Sequence, residues 1–134
     1  MAIQYSLTHR TNAMSTLNTD IGSSAVIKIF TGSAPANCGT ADTGTVLVTF
    51  AGNAGGFGTA AAQVLTASAV ASATAANTGT AGYFRIYPSA ATTTNAVVQG
   101  TCGTSGADMI LTNTSINSGQ TCNFTSLTVT AFGV

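Results

Sequence analysis

The sequence predicts a mainly β domain: an antiparallel β-sandwich, jelly-roll-like, with one short N-terminal helix. Three observations carry this. About seven short apolar runs are punctuated by Gly, Ser, Thr, Asn and Pro, the rhythm of an all-β fold. One stretch, near the N-terminus, shows a helical period. The chain has 134 residues and 45 % hydrophobic content, enough apolar surface to collapse without staples. We read 1–134 as a single β-sandwich domain, with 1–24 as an N-terminal arm and helix.

The helix is expected over residues 11–21. Met14, Leu17 and Ile21 recur at helical spacing. Thr11 or Asn12 is placed to cap it, and Gly22 stands where a C-terminal glycine belongs. Arg10 and Asp20 oppose the helix dipole, so this short helix needs a surface to dock on.

The first expected strand is Ala25 to Phe30, with Ile27 and Ile29 on one face. A loop rich in Gly and Ala follows to Thr45. Val46 to Phe50 places Val46, Val48 and Phe50 on one face. Gly52 to Gly58 reads as a turn. Gln63 to Thr74 alternates partly and reads as strand, although its alanines also suit a helix. Gly82 to Tyr87 (GYFRIY), Asn95 to Cys102, Asp108 to Thr112 and Thr121 to Phe132 complete the set. In the last strand Cys122 and Phe124 share one parity while Leu127, Val129 and Ala131 share the other. A bulge near Thr125–Ser126 reconciles them.

VIKIF (Val26 to Phe30) echoes YFRIY (Tyr83 to Tyr87), each with a base beside an isoleucine. If Ile27, Ile29, Phe84 and Ile86 face the core, then Val26, Lys28, Phe30, Tyr83, Arg85 and Tyr87 face outward. That face suits cation–π contact and burial against another subunit. Cover by the N-terminal helix is the alternative.

Charge is scarce. Charged residues are 4 % of the chain, against about 25 % in ordinary domains. There are three bases (Arg10, Lys28, Arg85), three acids (Asp20, Asp42, Asp108) and one histidine, His9. A phosphate track needs many cations, so nucleic acid is not an expected partner. Acid–base catalysis needs paired titratable groups, and no enzyme is expected. Gly56 to Ala61 matches a dinucleotide-binding glycine pattern, but no acid follows until Asp108, so no cofactor is expected. Cys38, Cys102, Cys122 and His9 lack the paired spacing of a zinc site. The three cysteines are expected as free, buried thiols; a Cys102–Cys122 bridge stays open if their strands pair.

Residues 1–10 lack a basic start followed by an apolar run, so export is not expected, and the sequons at Asn113 and Asn123 carry no weight. No stretch suits a bilayer span, and no membrane partner is expected.

FRIY (Phe84 to Tyr87), VVQGTCGTSGADM (Val97 to Met109), LTNTSINSGQT (Leu111 to Thr121) and SLTVTAF (Ser126 to Phe132) together resemble a family of small tailed-phage virion structural proteins. TNAMSTLNTDIG and VIKIFTGSAPAN resemble that family's opening helix, strand and loop. Cys102 departs from the β-branched residue expected there. GTSG (Gly103 to Gly106) reads as a tight turn within a hairpin meander.

The resemblance implies a capsid decoration or cement protein. Its partners would be the major capsid protein and further copies of itself, and its place the virion's capsid surface after assembly in the host cytoplasm. The expected interface comprises Gln4, Tyr5, Leu7, His9 and Arg10 with Lys28, Phe30, Tyr83, Arg85 and Tyr87. A tail, neck or fibre component and a carbohydrate-binding adhesion module are the alternatives. Low charge fits an assembly, since interface cores are depleted in charge.

Overall fold

The helix begins one turn earlier than the apolar period indicates. In the computed structural model, which describes residues 3–51, 61, 64–66, 72–88 and 92–131, helix α1 runs Leu7–Ile21. Its cap is Ser6, not Thr11 or Asn12: the Ser6 Oγ accepts the His9 N–H at 3.2 Å. Gly22 closes the helix at φ 76°, donating its N–H to the Asn18 carbonyl at 3.0 Å. Met14 and Ile21 are buried, and Leu17 packs beside them on the main core.

Ten strands follow: β1 (Val26–Thr31), β2 (Val46–Phe50), β3 (Val64–Thr66), β4 (Ala73–Thr74), β5 (Gly79–Tyr87), β6 (Val98–Gly103), β7 (Met109–Leu111), β8 (Ser115–Ile116), β9 (Thr121–Cys122) and β10 (Phe124–Thr130). The main sheet runs β2-β1-β5-β6-β7-β10-β3, with β8 on the start of β5; β4 and β9 pair separately. The fold is therefore mainly β, with one helix and a curled, antiparallel-rich sheet, an arrangement compatible with a jelly roll. The β6–β7 pair is parallel, so the block around Gly103 to Gly106 is not a hairpin. Residues 104–108 turn the chain back far enough for both strands to run the same way.

The echoing strands are ladder neighbours. Ile27 lies opposite Ile86, Lys28 opposite Arg85, and Ile29 opposite Phe84. Ile27, Ile29, Phe84 and Ile86 all enter the main core, with Leu47, Val48, Phe50 and Leu127. A register shift between Ile29 and Phe30 sends Val46 to the other face with Phe30, so Val46 does not share a face with Val48 and Phe50.

The bulge in β10 is where the parity change requires it, between Phe124 and Ser126. The long C-terminal strand is nonetheless broken at Asn123, because Cys122 belongs to the small β4–β9 sheet. The run 63–74 forms β3 and β4; its middle, like the glycine turn at 52–58 and the closing Phe132, lies outside the described residues. The three cysteines are free. Cys102 and Cys122 stand in different sheets, and the bridge between them does not form. Cys122 alone is buried; Cys38 and Cys102 are half-buried.

Candidate functional site

Strand alternation sends Tyr83, Arg85 and Tyr87 to the outer face of the sheet, as expected. That face is not open. Phe30, Tyr83 and Tyr87 form a second, smaller core with Val26, Ala34, Val46 and Ala96 packed against it. The cover is neither a second subunit nor α1, which docks on the main core. It is the chain's own segment 32–45, with Thr93 beside it.

Arg85 holds this cover down. Its side chain is fully buried. Nη1 donates to Asp42 Oδ1 and to the Thr40 carbonyl, both at 2.8 Å. Nη2 donates to the Asn37 carbonyl at 3.0 Å and to Gln99 Oε1 at 2.8 Å, and Nε also donates to Gln99 Oε1. Gln99 in turn donates to the Pro35 carbonyl at 2.8 Å. Five guanidinium N–H groups thus meet fixed acceptors, as a buried charge requires. Nothing remains on Arg85 to hold a ligand.

The tyrosines extend the clamp. Tyr87 donates to Asp42 Oδ1 at 2.5 Å. Burial, and then the Asp42 carboxylate, push the Tyr87 phenol well above its ordinary value. Tyr83 donates to the Thr43 carbonyl at 2.5 Å and accepts the Thr43 N–H at 3.1 Å. Its ring stacks on Phe30 with centroids 4.8 Å apart. Lys28, half-buried, sits with Nζ 5.1 Å from the Tyr87 ring centre. The two cations opposite each other on β1 and β5 are thus separated, one onto a carboxylate and one onto a ring.

The remaining expected interface residues are sequence neighbours that precede and open helix α1. Gln4, Tyr5, Leu7 and His9 are exposed, and Arg10 is half-buried. Ile3, Tyr5 and Leu7, at 80 %, 40 % and 54 % exposure, are the large exposed hydrophobics among the described residues. Tyr5 stacks on His9 with centroids 5.2 Å apart. The structure therefore splits the expected set into an exposed N-terminal patch and a buried clamp.

No motif in the sequence singles out Asp42, Asn37, Thr40, Thr43 or Gln99. One signal was there: a lone arginine in an apolar strand, in a chain with three acids, needs one of them. Among the described residues no group of three or more His, Cys, Asp or Glu comes together. Among the described residues no helix is long and apolar enough to cross a membrane. Comparisons with protein-family models, with curated proteins and with solved structures find no match to the chain.

Proposed function

We propose that the chain is a decoration or cement protein of a tailed-phage capsid, binding and bridging major capsid subunits at the shell surface. The observation that carries this reading is the N-terminal patch. Ile3, Tyr5 and Leu7 gather apolar exposure on one segment, whereas Phe30, Tyr83 and Tyr87 of the sheet are buried under the chain's own residues. Concentrated apolar exposure marks an interaction surface. The sequence resemblance supplies the virion context, and the low charge supports an assembled habitat.

The role is adhesive and not enzymatic. Arg85 and Asp42, the pair best placed for chemistry, are consumed by each other and by the cover segment. The adhesion-module alternative loses support, because two of its three candidate tyrosine platforms, Tyr83 and Tyr87, are fully buried. A tail, neck or fibre station remains the second reading and is separated by copy number.

The test adds purified protein to shells assembled without it and measures cosedimentation. The proposal expects saturable binding that weakens when Ile3, Tyr5 and Leu7 are replaced by serine. Absence of binding would count against it.

A further inference from the structure

Among the described residues, one lane of the main sheet is filled for only part of its length. β7 lies between β6 and β10 but fills that lane for only three residues. It pairs with Cys102 and Gly103 of β6, and with Phe124, Ser126 and Leu127 of β10. Carrying both registers back from Met109 sets Gln99 to Thr101 of β6 level with Thr128 to Thr130 of β10. Among the described residues no strand lies between them. A groove of about 370 Å³ opens at this place, with Val98 and Gln99 on one side, Thr128 and Thr130 on the other, and Asp108 beside them.

The lane presents unfilled backbone. Thr101 N–H donates to Asp108 Oδ2 at 2.8 Å, away from β5. Backbone groups along an antiparallel strand alternate sides, so Gln99, two residues back, also turns its N–H and C=O towards the lane. The Gln99 side chain is engaged elsewhere, by Arg85 and Pro35. Asp108 stands in for a strand at one end only.

A matching strand exists on the same chain. Ile3, Tyr5 and Leu7 alternate with Gln4 and Ser6, the two-residue period of a strand. Residues 3–6 belong to no helix or strand, and Ser6 is extended at φ −61° and ψ 153°. Charge agrees. The segment leads into His9 and Arg10 with no acid before Asp20, and the charged residue lining the groove is Asp108.

We propose that residues 3–6 of one copy, just ahead of helix α1, add as a strand to the lane between β6 and β10 of a second copy. Main-chain bonds give the affinity, and the alternating apolar side chains give the register. Donor and acceptor are different surfaces, so copies join by reciprocal exchange or head to tail in a ring. The inference rests on the reading of the chain as an assembling structural protein, and it names a second copy as the partner of the N-terminal patch.

The test uses sedimentation velocity on the full chain and two variants. Ile3→Asp with Tyr5→Asp spoils the donor. Ala107→Phe, in the groove wall, blocks the acceptor. Circular dichroism confirms that each is folded. The wild type should associate as concentration rises. The donor variant should bind about 100-fold more weakly or worse, the loss expected for two buried apolar side chains, and the acceptor variant should lose association because the new ring fills the groove. An equimolar mixture should recover a one-to-one complex, since each variant keeps the half that the other lacks.

A peptide of residues 2–8 titrated into the donor variant gives a second measurement that does not depend on Ala107→Phe folding; saturable binding is expected. A monomeric wild type, a donor variant that associates like the wild type, a folded mixture that stays monomeric, or a peptide that does not bind would each overturn the proposal. Recovered association without shell binding counts against the capsid reading alone. Shell binding without recovered association counts against strand addition alone.

Discussion

Arg85 and Asp42 are 43 residues apart in sequence, and Nη1 of one lies 2.8 Å from Oδ1 of the other beneath the chain's own cover segment. The arginine is fully buried, so the pair cannot be treated as a surface ion pair. It joins the sheet to segment 32–45 and turns an outward-facing strand surface into a second core.

Removing one partner leaves a charge in the interior. Asp42→Ala should cost about 3–5 kcal/mol, the penalty of breaking a buried pair from one side. It also strands the Tyr87 hydroxyl, which donates to the same oxygen. Urea unfolding of the variant against the wild type measures this. A loss below about 1 kcal/mol, the scale of an exposed pair, would contradict the clamp.

Tyr83 fixes the far end of the cover through both the N–H and the C=O of Thr43. Tyr83→Phe keeps the stack on Phe30 and deletes both bonds. The expected cost is about 1–3 kcal/mol, the net worth of two hydrogen bonds made by a buried hydroxyl. Limited proteolysis should then cut within 32–45 faster than in the wild type. An unchanged cleavage pattern would show that the segment is held by other contacts.

Gly82 lies where the cover crosses the sheet. A Cβ there would collide with the Gly32 carbonyl oxygen, which is backbone and cannot step aside. Gly119 has open space around it and only a left-handed φ of 86°. Gly119→Ala should therefore cost about 1–2 kcal/mol of backbone strain. Gly82→Ala should cost clearly more. Thermal melts of the two variants side by side check the ranking, and equal losses would contradict the close approach.

Alkaline pH should weaken the fold. Burial, and then the nearby Asp108 carboxylate, push the Cys102 thiol up to about 12 from an ordinary value near 9. Tyr87 is raised as well. Both groups stay neutral in the native state while the unfolded chain ionises. Stability should hold below about pH 9 and fall between pH 9 and 12, because the unfolded state then binds fewer protons. Denaturant midpoints across that range provide the measurement. Cys102→Val should flatten part of the slope; an unchanged slope would remove the thiol from the account.

The sequence carried the local pattern and missed the long-range one. Period-two alternation identified Ile27, Ile29, Phe84 and Ile86 as core and set Tyr83, Arg85 and Tyr87 opposite them. Parity alone located the bulge between Phe124 and Ser126. What alternation cannot report is which segment lies over the second face. Segment 32–45 has no periodicity, and its bonds to Arg85 and Gln99 use mostly backbone carbonyls, which every residue type supplies. The parallel β6–β7 pair was hidden for a similar reason. A short Gly- and Ser-rich connection reads as a hairpin unless strand direction is known. The N-terminal patch is legible only in part: the expected interface holds Tyr5 and Leu7 but not Ile3, the most exposed of the three.

The proposed place of this chain on a phage shell is tested by its copy number per particle. Quantitative mass spectrometry of purified virions, against the major capsid protein, gives the ratio. A cement protein should appear at a simple stoichiometric fraction of the shell protein, repeated over the whole lattice. A handful of copies per particle would move the chain to the tail, neck or fibre, and absence from particles would contradict the account outright.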